Sequence, residues 1–334
     1  MEDLIQTAAR HRGGYVLRRD LIDLGLKDRN IRAAVQAQLL VRIRHGTYAP
    51  ALEFQTLSPE RRHVLKAFSV VDRLGPGVAL SHQTAAIATG MTTWGVDLDT
   101  IHLVRLDGRG GRREAGVAFH RGRIEDDEIV LIDGRQSCPP DRAVLESCRL
   151  TSVESGMVLA SLAVHDGFCT REQLAERLLS MGSWPGTIHC RLVLGYAEPR
   201  CESVGEARSL YMMRMEHLPL PEVQVDITLD GRVIARSDFG WWIWRHVGEF
   251  DGRIKYGRLN PDPSRLEQVL VEEKRREDLI RSHPLGMSRW MWGGLDPARR
   301  AATANEIRRG LEQSRTLYAR NAIHLETGRI PWAA

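Results

Sequence analysis

The 334-residue sequence predicts an α+β, multidomain chain, and three observations carry that expectation. Its first fifty residues alternate short amphipathic helical stretches with a glycine-turned β pair. Its middle mixes helical and strand-like periods. Near its C-terminal third, a capped helix precedes three strand-like runs joined by tight turns. The length prior suggests about two domains with room for a small third. A hydrophobic content of 43% against 27% charged residues supports packed cores throughout.

The N-terminal unit is expected over residues 1–52. Leu4, Ile5 and Ala8 form a short apolar stripe that Gly13-Gly14 ends, and Arg18 to Gly25 reads as a second short helix closed by glycine. Leu26 to Val35 reads as a third, with Asp28 as its N-cap and Ile31, Ala34 and Val35 facing inward. That leaves Lys27, Arg29, Asn30, Arg32 and Gln36 outward, and Arg, Asn and Gln are the side chains that pair with guanine and adenine edges. Leu40 to Ala49 then alternates and turns at Gly46, as a β-wing does, carrying Arg42, Arg44 and His45 toward backbone phosphate. The pattern is that of a winged helix-turn-helix binding double-stranded DNA through its third helix. Nine Lys and Arg against five acids leave an excess of four in residues 1–50, which is the formal charge of the whole chain and reads either as the footprint of a nucleic-acid binder or as a charged solvated face.

At Gly14-Tyr-Val, the Leu-Gly-Leu turn and the ending Arg-Ile-Arg-His-Gly-Thr-Tyr-Ala-Pro, the chain resembles the N-terminal winged-helix domain of AbiEi-type antitoxins, and Ser81-His82-Gln-Thr-Ala-Ala is similar to the segment that follows there. The resemblance covers roughly residues 1–104. It implies a toxin-antitoxin system in which this chain represses its own operon, with a nucleotidyltransferase toxin as partner; if a homodimer binds the DNA, the site should be an inverted repeat.

An α/β middle region with a helical connector is expected over residues 60–195, after a linker from Glu53 to Pro59. Helices are expected at Arg61–Leu74, His82–Thr89, Asp141–Leu150, Ser152–His165 and Thr170–Met181, the last opened by a Thr170/Gln173 capping box. Strands are expected at Thr100–Leu106 and Gly116–His120, around the loop Asp107 to Arg113, which is either a contact to DNA backbone or a solvated hairpin tip. His82, beside Ser81, reads as a packed or hydrogen-bonded histidine, and neither a serine-nucleophile elbow nor a phosphate-binding glycine loop is present.

Residues 200–295 hold the candidate chemistry. Ser203 and Glu206 stand in capping-box spacing at a helix start. Val223, Val225, Ile227 and Leu229 alternate with polar residues as a half-buried strand, Asp230-Gly231 turns the chain, and Arg232–Phe239 returns with Asp238 near its end. His246–Phe250 carries Glu249 and breaks at Asp251-Gly252. Carboxylates gathered at strand ends repel unless a cation or donors compensate, and hard oxygen ligands suit Mg²⁺ or Mn²⁺. Equally, Glu206 reads as a cap and Asp251-Gly252 as a turn. With the later Glu273-to-Asp278 helix and Arg289-Trp-Met-Trp292, this order resembles the very-short-patch-repair-like branch of the PD-(D/E)XK endonuclease fold. The resemblance implies Glu206, Asp238 and Glu249 as metal ligands and Asp238, Glu249, Asp251 and Lys255 as the catalytic set. The family's lysine position is Asp251 here, Lys255 being the nearest basic candidate.

Lys274, Arg275, Arg276 and Arg281 either hold a phosphate or form a solvated helix face. Most of the five tryptophans between Trp241 and Trp292 are expected to fill core. A C-terminal helical tail over residues 296–334 offers Ile307 and Leu311 to the body or to a second subunit. Five cysteines without CxxC spacing point to reduced thiols in a cytoplasm, and neither an apolar run of membrane-spanning length nor a secretory leader is present. Two functions fit: an antitoxin-type autorepressor or phage-defence component whose nuclease-like fold is a platform, and an active Mg-dependent DNA endonuclease.

Overall fold

The computed structural model describes residues 2–122, 124–182, 184–229, 232–252 and 284–318. They fall into two compact units, residues 1–159 with 166–192, and residues 160–165 with 193–334. Expected features at Asp230-Gly231, Lys255, Glu273–Asp278 and Lys274–Arg281 lie outside the described residues.

The first unit opens with α1 (Glu2–His11), β1 (Val16–Leu17), α2 (Arg18–Asp23), α3 (Asp28–Gln36), β2 (Leu40–Arg44) and β3 (Thr47–Pro50). The strands form one antiparallel sheet in the order β1-β3-β2, with Val16 opposite Tyr48 and Val41 opposite Ala49. Ile5, Ala9, Val16, Leu21, Leu26, Ile31, Ala34 and Leu40 bury together as the core of this domain. Each large aliphatic so buried contributes about 1.5–3 kcal/mol. Gly25, at φ +87°, ends α2, and Gly46, at φ +66°, makes the tip of the wing; both take a backbone conformation that costs side-chain-bearing residues energy.

Three expectations change here. Asp28 is the first residue of α3 and Lys27 occupies the cap, because Asn30 Oδ1 reaches back to accept from the Lys27 N–H at 3.0 Å. The expected linker from Glu53 is largely α4 (Ala51–Thr56), and Ser58, whose hydroxyl accepts from the Arg61 N–H, caps α5 (Pro59–Leu74) with proline in the first turn. Within the loop from Asp107, Arg112–Glu114 pairs as the short exposed edge strand β6.

After α5 come β4 (Val78–Leu80), α6 (His82–Thr89), β5 (Ile101–Arg105), β6, β7 (Val117–Arg121), β8 (Val130–Ile132) and β9 (Arg135–Ser137). They make a six-stranded mixed sheet in the order β6-β7-β5-β4-β9-β8. Then follow α7 (Pro140–Cys148), α8 (Val153–His165), α9 (Arg171–Ser180) and α10 (Thr187–Tyr196). Both bonds of the Thr170/Gln173 box form, at 3.1 and 2.9 Å. Asp72 near the end of α5 ties the winged domain to this sheet: its carboxylate accepts from Tyr15 Oη (2.5 Å), Arg135 Nε (2.8 Å) and Arg12 Nη1 (3.2 Å).

In the second unit, α11 (Val204–Met215) precedes β10 (Glu222–Leu229), β11 (Arg232–Trp241), β12 (His246–Asp251) and, further along, β13 (Gly286–Met291) and α12 (Arg300–Tyr318). The sheet runs β10-β11-β12-β13, antiparallel twice and then parallel. Ile227, Ala235, Val247 and Leu285 form one apolar cluster, and Trp241 and Trp290 are buried with indole N–H groups donated to Pro219 O and Ser209 Oγ, both at 2.8 Å. α12 packs on β13, β12 and α11, which is what buries Ile307 and Leu311. Among the described residues no helix is long and apolar enough to cross a membrane.

Candidate nucleic-acid interface and acidic cluster

The amphipathic period of α3 turns Ile31 and Ala34 into the core, and so sends Lys27, Arg29, Arg32 and Gln36 to the exposed face. Asn30 is half-buried, with its carbonyl oxygen occupied by the Lys27 N–H. Lys27, Arg29 and Arg32 make no ion pair among the described residues. Arg18 instead grips Asp28 through two bonds of 2.8 and 2.7 Å, and that guanidinium holds the Asp28 carboxyl below its ordinary value. On the wing, Arg42 Nη2 lies 2.8 Å from His45 Nδ1. Arg18, Asp28, Arg32, Arg42, His45 and Tyr48 line one groove between helix and wing. Arg44 differs from its neighbours: its Nη2 donates to the Ala115 carbonyl at 2.7 Å, and burial lowers its pKa. Arg29, Arg32 and Arg42 present planar, forked cations, which suit phosphate and guanine edges.

In the second unit, Phe239 pairs with Gly248, so Asp238 comes alongside Glu249 at the neighbouring strand position. Asp238 Oδ2 accepts from the Phe250 N–H at 2.8 Å. Glu249 is buried, and parallel pairing sets it opposite Arg289, whose Nη2 reaches Oε2 at 2.7 Å. Glu206 behaves as a cap: Ser203 Oγ donates to Oε1 at 2.7 Å, while the Glu202 N–H and Gln224 Nε2 donate to Oε2, each at 2.9 Å. Burial and then the charges of Glu206, Glu198 and Asp238 push the Cys201 thiol well above its ordinary pKa. Asp251 ends β12, and Lys255 lies outside the described residues.

Whether Glu206, Asp238 and Glu249 fit a hard divalent ion can be judged from those donors. Both Glu206 oxygens, one Asp238 oxygen and one Glu249 oxygen accept from protein N–H or O–H groups, so an ion there would compete with those donors.

Sequence reasoning gave no site to the first unit's interior, yet His82, His102 and His120 converge within it, the nitrogens lying within 4.8 Å of one another. His82 and His102 are buried and His120 is half-buried. Burial first, then neighbouring histidines for His82 and His102 and nearby arginines for all three, lower the pKa values: His82 well below 6.5, His102 to about 3 and His120 to about 4. The alternation of His102 and His120 with apolar neighbours on two strands was the available signal.

Residues 2–51 match the family model of transcriptional regulators described as AbiEi antitoxin. That match spans the winged-helix domain end to end. Two Mycobacterium tuberculosis proteins, the uncharacterized proteins MT2308 (strain CDC 1551 / Oshkosh) and Rv2248 (strain ATCC 25618 / H37Rv), are each 23% identical over 251 residues, covering 71% of this chain and 88% of theirs. The crystal structure of RV2827C protein from Mycobacterium tuberculosis aligns over 66% of this chain and 82% of that one, with 18% identity and a TM-score of 0.38.

Proposed function

We propose that this chain is a sequence-specific double-stranded-DNA-binding protein of the AbiEi antitoxin type. It acts as a transcriptional autorepressor and antitoxin, or as a phage-defence component, with a nucleotidyltransferase toxin as its partner. The observation that carries the reading is the outward face of α3, Lys27, Arg29, Arg32 and Gln36 beside the wing's Arg42 and His45, in a domain that matches the regulator family. Arg29 and Arg32 supply bidentate donors for base edges, and Lys27, Arg42 and His45 supply phosphate contacts. A homodimer would read an inverted repeat with half-sites about one helical turn apart or a multiple of it. Footprinting on the DNA upstream of its own gene tests this. Protection of such a repeat, lost with Arg29→Ala and Arg32→Ala in folded protein, is the expected result; equal affinity for unrelated DNA would overturn sequence-specific binding.

For residues 200–295, the order of α11, three antiparallel strands and a fourth strand parallel to the third supports the PD-(D/E)XK reading. Carboxylates held by protein donors favour a scaffold role for that fold. The second reading, an endonuclease using Mg²⁺ or Mn²⁺, draws on Asp238 and Glu249 standing side by side, and requires both to exchange present partners for an ion. Cutting of duplex DNA that needs either ion and disappears in Glu249→Gln would replace the scaffold reading.

A further inference from the structure

The strands of the first unit's large sheet bring two histidines to one face. In the parallel pair β5/β7, His102 stands opposite Ala118 and Val104 opposite His120, so His102 and His120 share a face and meet diagonally, Nδ1 to Nε2 at 2.8 Å. His82 opens α6 directly after β4, the strand on the other side of β5, and its ring stacks on His120 with centroids 3.8 Å apart. Its backbone is held at φ +50°, a conformation that costs an ordinary residue on the order of 1 kcal/mol or more and that concentrates at functional sites.

Second-layer groups surround the trio. Glu146 Oε2 lies 3.3 Å from His82 Nδ1, while Oε1 takes the Arg142 Nε–H at 2.9 Å. Gln83 Nε2 lies 2.9 Å from His102 Nε2. Two polar atoms here are buried without a hydrogen bond, Gln83 Oε1 and Glu146 Oε2. Such orphans cost about 1–3 kcal/mol each and call for a cause.

We propose that His82, His102 and His120 bind one divalent transition-metal ion of the zinc class, with Glu146 and Gln83 as the carboxylate and amide that orient the ligands. One proton arrangement then gives Glu146 Oε2 a donor and frees one nitrogen on each ring. His82 Nδ1–H donates to Glu146 Oε2, leaving Nε2 for the ion. Turning the Gln83 amide end for end lets Oε1 accept the His102 Nε2–H, leaving Nδ1 for the ion, and His120 contributes Nε2. Interchange of amide oxygen and nitrogen is an assignment that hydrogen bonding decides. Imidazole nitrogens favour Zn²⁺, Cu²⁺ or Ni²⁺ over Mg²⁺, and three histidines leave a fourth position for water. Bond lengths of about 2.0–2.1 Å place such nitrogens roughly 3.3 Å apart, so His102 and His120 part slightly and His82 closes in. Half-buried His120 gives the ion its route in.

The test uses the full chain, stripped with chelator and desalted. Calorimetric titration with Zn²⁺ is expected to show one saturable site, and Co²⁺ is expected to give visible d–d absorption without a thiolate charge-transfer band. His120→Phe keeps a ring on His82 but removes a ligand, and should lower affinity at least tenfold with circular dichroism unchanged. Glu146→Gln should lower it about 10–100-fold. Absence of saturable Zn²⁺ binding by the folded unaltered chain would overturn the proposal, whatever the variants do. So would binding that folded His120→Phe and Glu146→Gln leave unchanged, or a Co²⁺ spectrum dominated by thiolate.

Discussion

Replacing Asp72 by asparagine should loosen the attachment of the winged domain. The carboxylate sits at 15% side-chain exposure between Arg135 at 12% and Arg12 at 29%. Desolvation pushes its pKa up, but Arg135, Tyr15 and Arg12 outweigh this and hold it below the ordinary value. Asparagine keeps the shape, yet leaves Arg135 without its counter-charge and turns one acceptor into a donor facing cations. Breaking a buried pair costs about 3–5 kcal/mol, and solvent around Arg12 reduces that to roughly 2–4 kcal/mol here. Hydrogen exchange on the intact chain reads the effect. At about 3 kcal/mol, amides of β1 and α5 should exchange on the order of a hundredfold faster, with α11 to α12 unchanged. In a double-mutant cycle, Asp72→Asn and Arg135→Met should cost much less together than the sum of their separate effects. Unaltered exchange in β1 and α5, or additive effects, would refute the reasoning.

Three further outcomes follow from the same structure. His246 is buried between Ser314 and Ser288, and burial lowers its pKa from 6.5 to about 4. The unfolded chain therefore binds the extra proton first: this stability is whole above about pH 6.5 and is lost as pH falls toward 4, by roughly 3 kcal/mol. Urea melts of the second unit across that range should show the loss, and His246→Gln should flatten it. Gly205→Ala would drive a methyl into the Phe250 ring and should destabilise the second unit by about 1–3 kcal/mol in the same melts, whereas an unchanged midpoint would contradict the packing of α11 on β12. Among the wing and α3 cations, Lys27 and Arg42 are exposed and face phosphate while Arg44 is turned to Ala115, so these two should contribute a log–log salt slope of about −1.8 per protomer, and Arg42→Ala should reduce it by about 0.9.

Local rules made the winged domain and α11 legible. Ile31 and Ala34 at helical spacing, glycine at the wing tip and serine three residues before Glu206 each act over a few residues, and the structure realises them. The strands β4, β8 and β9 are only three residues long, and β9 is the polar run Arg135-Gln-Ser137, so no local period marks them. The acidic cluster was legible as a neighbourhood, since hairpin pairing brings Asp238 beside Glu249. Its occupancy was not: Arg289 reaches Glu249 through a parallel pairing forty residues apart, which no spacing rule anticipates. His82 was readable as a packed histidine, but its convergence with His102 and His120 depends on the diagonal relation of two parallel strands.

The most direct measurement incubates the intact chain with DNA from upstream of its own gene, in Mg²⁺ and then in Mn²⁺, and follows retention and strand integrity together for the unaltered protein and Glu249→Gln. The account predicts salt-sensitive retention of uncut DNA by both. Failure of the folded protein to retain that DNA, or cutting by the unaltered chain alone, would contradict it.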